Sequence, residues 1–67
     1  MERFFFTFMQ KQAFKDCYVE IRAKDETAAR EEMFKRHGNQ WAFCYTEKEF
    51  EGQAEHFGLQ KLQEIRV

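Results

Sequence analysis

The chain opens with two stretches in which apolar residues recur at every second position. From Arg3 to Met9, Phe4, Phe6 and Phe8 lie on one face of an extended chain, and Arg3, Phe5, Thr7 and Met9 on the other. From Cys17 to Ala23 the alternation is cleaner, with Cys17, Val19, Ile21 and Ala23 opposing Tyr18, Glu20 and Arg22. The polar segment from Gln10 to Lys15 joins them, so the two strands are expected to form a hairpin with a long loop. The period then changes. Asp25 is a helix N-cap, Ala28 and Ala29 are strong helix formers, and Ala29, Met33 and Phe34 mark one apolar side. Gly38 after His37 is a stop signal. Trp41 to Tyr45 returns to alternation and predicts a third strand. Thr46-x-x-Glu49 has the spacing of a capping box, and Phe50, Ala54 and Phe57 set an i, i+4, i+7 stripe for a second helix over 47–57, interrupted by Gly52. Gly58 ends it, and 59–67 completes the chain as a strand with Leu62 or Ile65 inward.

The expected order is β-β-α-β-α-β, an α+β fold with a mainly antiparallel sheet and two helices packed on one face. Pairing beyond the first hairpin stays open. Period alone does not choose whether Trp41, Phe43 and Tyr45 or Ala42 and Cys44 face the helices; the larger set is favoured for the core.

Sixty-seven residues make a single domain, 1–67, and a chain of this size buries little of its surface. Its compensation is aromatic. Twelve residues are Phe, Tyr or Trp, nine of them Phe, and each buried ring removes roughly 150–250 Å² from water. Two short helices cannot cover all of that ring surface, so part of it is expected to meet a partner or a second copy.

The formal net charge of −1 argues against a polyanion binder, which needs a local excess of Lys and Arg. No segment approaches the roughly 18 apolar residues of a membrane span, and no leader pattern is evident, so the expected location is cytoplasmic. Cys17 and Cys44 fall at strand positions and read as small buried residues in a reducing compartment. With His37 and His56 they are zinc-ligand types, but 19, 6 and 11 residues separate the four, unlike the close pairs of structural sites. No phosphate-gripping glycine loop, GxSxG, HExxH or CxxC is present. No metal, cofactor, small-molecule substrate or catalytic residue is expected.

With Phe4, Phe6 and Phe8 inward, the opposite side of the sheet presents Phe5, Thr7, Met9, Tyr18, Glu20 and Arg22. Aromatic residues beside Met and Arg have the composition of protein interfaces, so these six form the expected partner-binding face; the alternative is that these rings merely complete the core of a small monomer. The same aromatic and basic mixture also stacks single-stranded nucleic acid, through Phe5, Tyr18, Arg22 and Tyr45. Glu20 in the middle, the acidic balance and the absence of an RNP1-like run favour the protein partner.

Phe5-Phe6-Thr7-Phe8, Ala28-Ala29-Arg30 leading to Met33-Phe34, Gly38, then Trp41-Ala42-Phe43, Tyr45 and Glu49-Phe50 form an ordered set over nearly the whole chain. In that order they resemble a group of very short proteins encoded in bacteriophage and prophage genomes. No activity is established for that group, so no site residues carry over. The resemblance implies a context: an accessory protein that binds and redirects a host protein, or associates with itself.

Overall fold

A computed structural model describes residues 1–67. Strand β1 (Glu2–Thr7) and strand β2 (Cys17–Ala23) form the expected hairpin, antiparallel from Thr7 opposite Tyr18 to Glu2 opposite Ala23. Helix α1 (Glu26–His37) follows. The Asp25 carboxylate accepts the Ala28 N–H at 2.8 Å, satisfying one of the otherwise free first-turn donors. At the far end Gly38 adopts φ 60° and donates its N–H to the Phe34 carbonyl at 2.8 Å. Ion pairs Arg30–Glu26 and Arg36–Glu32 brace the solvent side, each four residues apart.

Strand β3 (Phe43–Thr46) leads directly into a four-residue helix α2 (Glu47–Phe50), then a second short helix α3 (Gln53–His56) and strand β4 (Gln60–Arg66). The capping box forms: Thr46 Oγ1 accepts the Glu49 N–H at 3.2 Å, and Glu49 Oε1 accepts the Thr46 N–H at 2.9 Å. The single helix expected over 47–57 is broken in two. Glu51 leaves helical geometry and Gly52 takes φ 79°, a conformation that L side chains rarely adopt. Phe50 and Phe57 therefore do not share a stripe.

The strand order is β3-β1-β2-β4, with β1 antiparallel to both β2 and β3 and β4 parallel to β2. The sheet is thus mixed, because the chain reaches β4 through a crossover that returns it in the direction of β2.

The helices do not share a face. Ala29 and Met33 of α1 close a core with Phe4, Phe6, Phe8, Val19, Ile21, Ala23 and Ile65, whereas Phe50 of α2 lies on the opposite side, stacked on Phe5. The third strand is split in the same way. Cys44 pairs with Phe6 and packs against the core, so Phe43 and Tyr45 face away from α1. Trp41 precedes the strand and escapes its alternation: it meets Phe6 edge-on at 5.0 Å and donates its indole N–H to the Gly38 carbonyl. The larger aromatic set is thereby divided, Trp41 to the core and Phe43 and Tyr45 to the other face. Phe34, expected on the apolar side of α1, is 53% exposed and rests against Trp41.

In β4, Lys61 pairs with Tyr18 and Gln63 with Val19, which leaves Leu62 as an extra, bulged residue. Leu62 and Ile65 both turn inward against the core. No helix is long and apolar enough to cross a membrane.

Candidate functional site

The face of the sheet away from α1 carries Arg3, Phe5 and Thr7 of β1, Tyr18, Glu20 and Arg22 of β2, and Phe43 and Tyr45 of β3. The capping box starts α2 immediately after β3, and one helical turn later Phe50 is folded back over this face. Its ring stacks on Phe5, with centroids 4.6 Å apart and planes 7° from parallel, and leans on Tyr18 at 5.1 Å and Tyr45 at 5.8 Å. Four rings thus form a second, smaller core.

Beside it sits Glu20, 1% exposed. Arg3 grips both carboxylate oxygens through Nε and Nη2 at 3.1 Å, Arg22 Nε donates at 3.3 Å, and Lys61 Nζ is 3.3 Å away. Arg3 also reaches Glu47 at 2.7 Å, and Lys61 reaches Glu64 at 2.8 Å. Burial pushes the Glu20 carboxyl up, but hydrogen bonds from Arg3, Arg22 and Lys61 outweigh it and hold the group down at about 2. Lys61 belongs to this cluster because of the bulge at Leu62. Strict alternation would place Lys61 on the side of Ile65; one extra residue moves it to the side of Glu20.

These contacts correct the expected partner face. Phe5 is 6% exposed beneath Phe50, and Glu20 lies under three cations, so neither is presented to another molecule. Thr7, Tyr18 and Arg22 are half-buried around them. Met9 is exposed, but it sits past the end of β1 in the loop. The four residues that a single-stranded nucleic acid would use are engaged: Phe5, Tyr18 and Tyr45 with Phe50, and Arg22 with Glu20. Arg3, Arg22 and Lys61 each face at least one carboxylate.

The uncovered ring surface lies elsewhere, around β3. Phe43 is 54% and Phe57 64% exposed. With Thr7, Phe8, Tyr45 and Leu59 on one hand and Gln10, Lys15, Asp16 and Gln53 on the other, they border a cleft of about 300 Å³. A neighbouring hollow runs from Phe43 over Phe8 to Met9. On the α1 side of the same edge, Phe34 lies 5.2 Å from Trp41, and the Arg30 guanidinium sits over the Trp41 ring at 5.7 Å. The sequence pattern favours Phe43 for the core without settling its face, and puts Phe57 on the apolar stripe of a second helix. Gly52 was the available signal against a continuous helical stripe, while the face taken by Phe43 depends on the pairing of β3 with β1.

The remaining reactive groups are dispersed. Cys17 and Cys44 are unpaired, and burial pushes the Cys44 thiol up to about 11. His37 Nε2 lies 2.8 Å from Gln63 Oε1. No three His, Cys, Asp or Glu side chains gather as a metal-ligand set. What the exposed region offers chemically is aromatic contact interleaved with polar and charged groups, Lys11, Lys15 and Asp16 among them. Comparison of the chain with protein-family models, with curated proteins and with solved structures finds no match.

Proposed function

We propose that this chain works by stoichiometric protein binding, to another protein or to itself, with no catalytic step and no cofactor. The observation that carries the reading is the concentration of exposed rings at one end of the sheet. Phe43 and Phe57 stay more than half exposed although the fold covers Phe5, Phe6 and Phe50 closely. Exposed aromatic residues around a cleft mark interfaces, and binding hot spots are aromatic-rich. The contact surface is therefore centred on Phe43, Phe57 and Met9 in place of Phe5 and Glu20. The resemblance to phage- and prophage-encoded proteins supplies the context, an accessory protein acting on a host protein. Two unpaired cysteines suit a reducing, cytoplasmic setting.

The test is a native pull-down from bacterial lysate, run alongside a measurement of solution mass. The chain should retain a protein in fixed ratio or self-associate, and the double variant Phe43→Ser, Phe57→Ser should lose that behaviour with its circular dichroism unchanged. A chain that neither retains a protein nor associates refutes the reading. Titration with labelled single-stranded oligonucleotides at low salt, where phosphate contacts are strongest, should show no binding.

A further inference from the structure

On the face of the sheet away from α1, β2 and β4 set like charge beside like. Their register places Glu20 beside Glu64 and Arg22 beside Arg66, and like charges directly opposed on a sheet are destabilising. Lys61 reconciles the two carboxylates. Its Nζ lies 3.3 Å from Glu20 and 2.8 Å from Glu64. It is the one cation that meets both: Arg3 and Arg22 pair with Glu20 and not Glu64, and Arg66 pairs with Glu64 and not Glu20. The opposition is felt at Glu64, whose carboxyl the Lys61 hydrogen bond holds below its ordinary value while the charge of Glu20 pushes it up.

We propose that Lys61 is a register pin: by bridging the opposed carboxylates it selects the bulged pairing of β4 with β2 over a straight one. Both pairings keep Ile21 beside Ile65 and Glu20 beside Glu64, and they part at the bulge. As observed, Lys61 lies beside Tyr18, and Leu62 is the extra residue turned toward the α1 core. Removing the bulge sets Leu62 beside Tyr18 and Lys61 beside Cys17, on the face of Val19 and Ile21. Leu62 has apolar neighbours in either pairing, the α1 core in one and the Tyr18 ring, itself against Phe50, in the other. The Lys61 ammonium separates them. It neutralises the Glu20–Glu64 pair in the bulged form and turns away from it, toward an apolar face, in the straight form. A bulge leaves one residue out of the ladder, and here that charge holds it in place. Lys61 is thus a positioning residue for the C-terminal strand, in keeping with the use of buried ionic groups to fix register.

The test is NMR of the full chain, with hydrogen exchange read at each β4 amide. It compares the wild type with Lys61→Met, which keeps the stem and removes the charge, and with Lys61→Arg, which keeps the charge. Wild type and Lys61→Arg should show one form, with no contact between the Leu62 methyls and the Tyr18 ring. Lys61→Met should show a second form, populated at about a tenth or more, in which those methyls touch that ring. Its β4 amides should exchange about tenfold faster, while those of Phe4 to Phe6 are unchanged. Adding Glu64→Lys to Lys61→Met sets a cation beside Glu20 in either pairing, so β4 protection should return while both forms persist. A single bulged form in Lys61→Met, whatever its exchange rate, overturns the proposal. A single bulged form regained in the double variant also overturns it, since charge balance and not the place of Lys61 would then be the selector. An equal loss of protection at Phe4 to Phe6 overturns it as well, by making Lys61 a prop of the whole domain.

Discussion

On the α1 face of the sheet, Phe4, Phe6, Val19 and Ile21 meet Ala29 and Met33 without a charged group among the buried residues. On the α2 face, Phe5 is sealed by a single ring, Phe50, and the next buried position is Glu20 under Arg3, Arg22 and Lys61. The difference is one of roof length. The twelve-residue α1 lays Ala28, Ala29 and Met33 along one face, whereas the four residues of α2 reach only as far as Phe5, Tyr18 and Tyr45. Beyond Phe50, long cationic side chains finish the cover, their stems lying over the sheet and their charges meeting one carboxylate. A domain this small closes two faces by using hydrophobic burial on one and a satisfied ion cluster on the other. The β3 end, which neither helix closes, is where the exposed rings collect.

That contrast can be tested by substitutions of decreasing cost. Phe6→Ala, in the fully buried core, should cost about 3–5 kcal/mol in urea unfolding and threaten the fold outright. Phe50→Ala removes the roof of the second core and should cost about 3 kcal/mol, with Phe5 opened to solvent and a gain in binding of an apolar dye. A loss equal to that of Phe6→Ala would show that the two faces are energetically alike.

Glu20→Gln should cost on the order of 2–3 kcal/mol, since three cations lose their common counter-charge. The acid limb of the stability curve gives an independent measure. The folded Glu20 carboxyl, at about 2, binds its proton less tightly than an unfolded glutamate. The unfolded state therefore takes up more protons as pH falls, and stability drops. The contribution of Glu20 is whole above about pH 5, fades from about pH 4.3 downwards and is gone near pH 2. In Glu20→Gln that acid-dependent loss should be reduced; an unchanged acid limb would move its origin to other carboxylates. Smallest of all, Phe43→Ser should change stability by less than about 0.5 kcal/mol while still removing association. A large stability loss there would make Phe43 part of the fold and take it out of the contact surface.

Much of the fold was legible in local pattern. The strand Cys17–Ala23, the helix capped by Asp25 and stopped at Gly38, and the Thr46–Glu49 capping box all formed where the residues indicated. The candidate site was legible only in composition. Surplus aromatic surface exists, but it sits on Phe43, Phe57 and Phe34, and the face first assigned to it is largely closed by Phe50 and the Glu20 cluster. Period two sorts Phe5 from Phe6 without revealing which element will lie over either one.

The sequence alone determined which side chains share a strand face, where α1 begins and ends, and that a chain of 67 residues with nine phenylalanines has to build its stability from rings. The tertiary structure decided that α2 crosses to the opposite face, that Gly52 parts Phe50 from Phe57, and that the Leu62 bulge carries Lys61 to Glu20. The physical reason is range. Alternation, caps and glycine stops act between residues a few positions apart, whereas the cover over a face and the freedom of an edge depend on partners such as Phe5 and Phe50 that only the folded chain brings together.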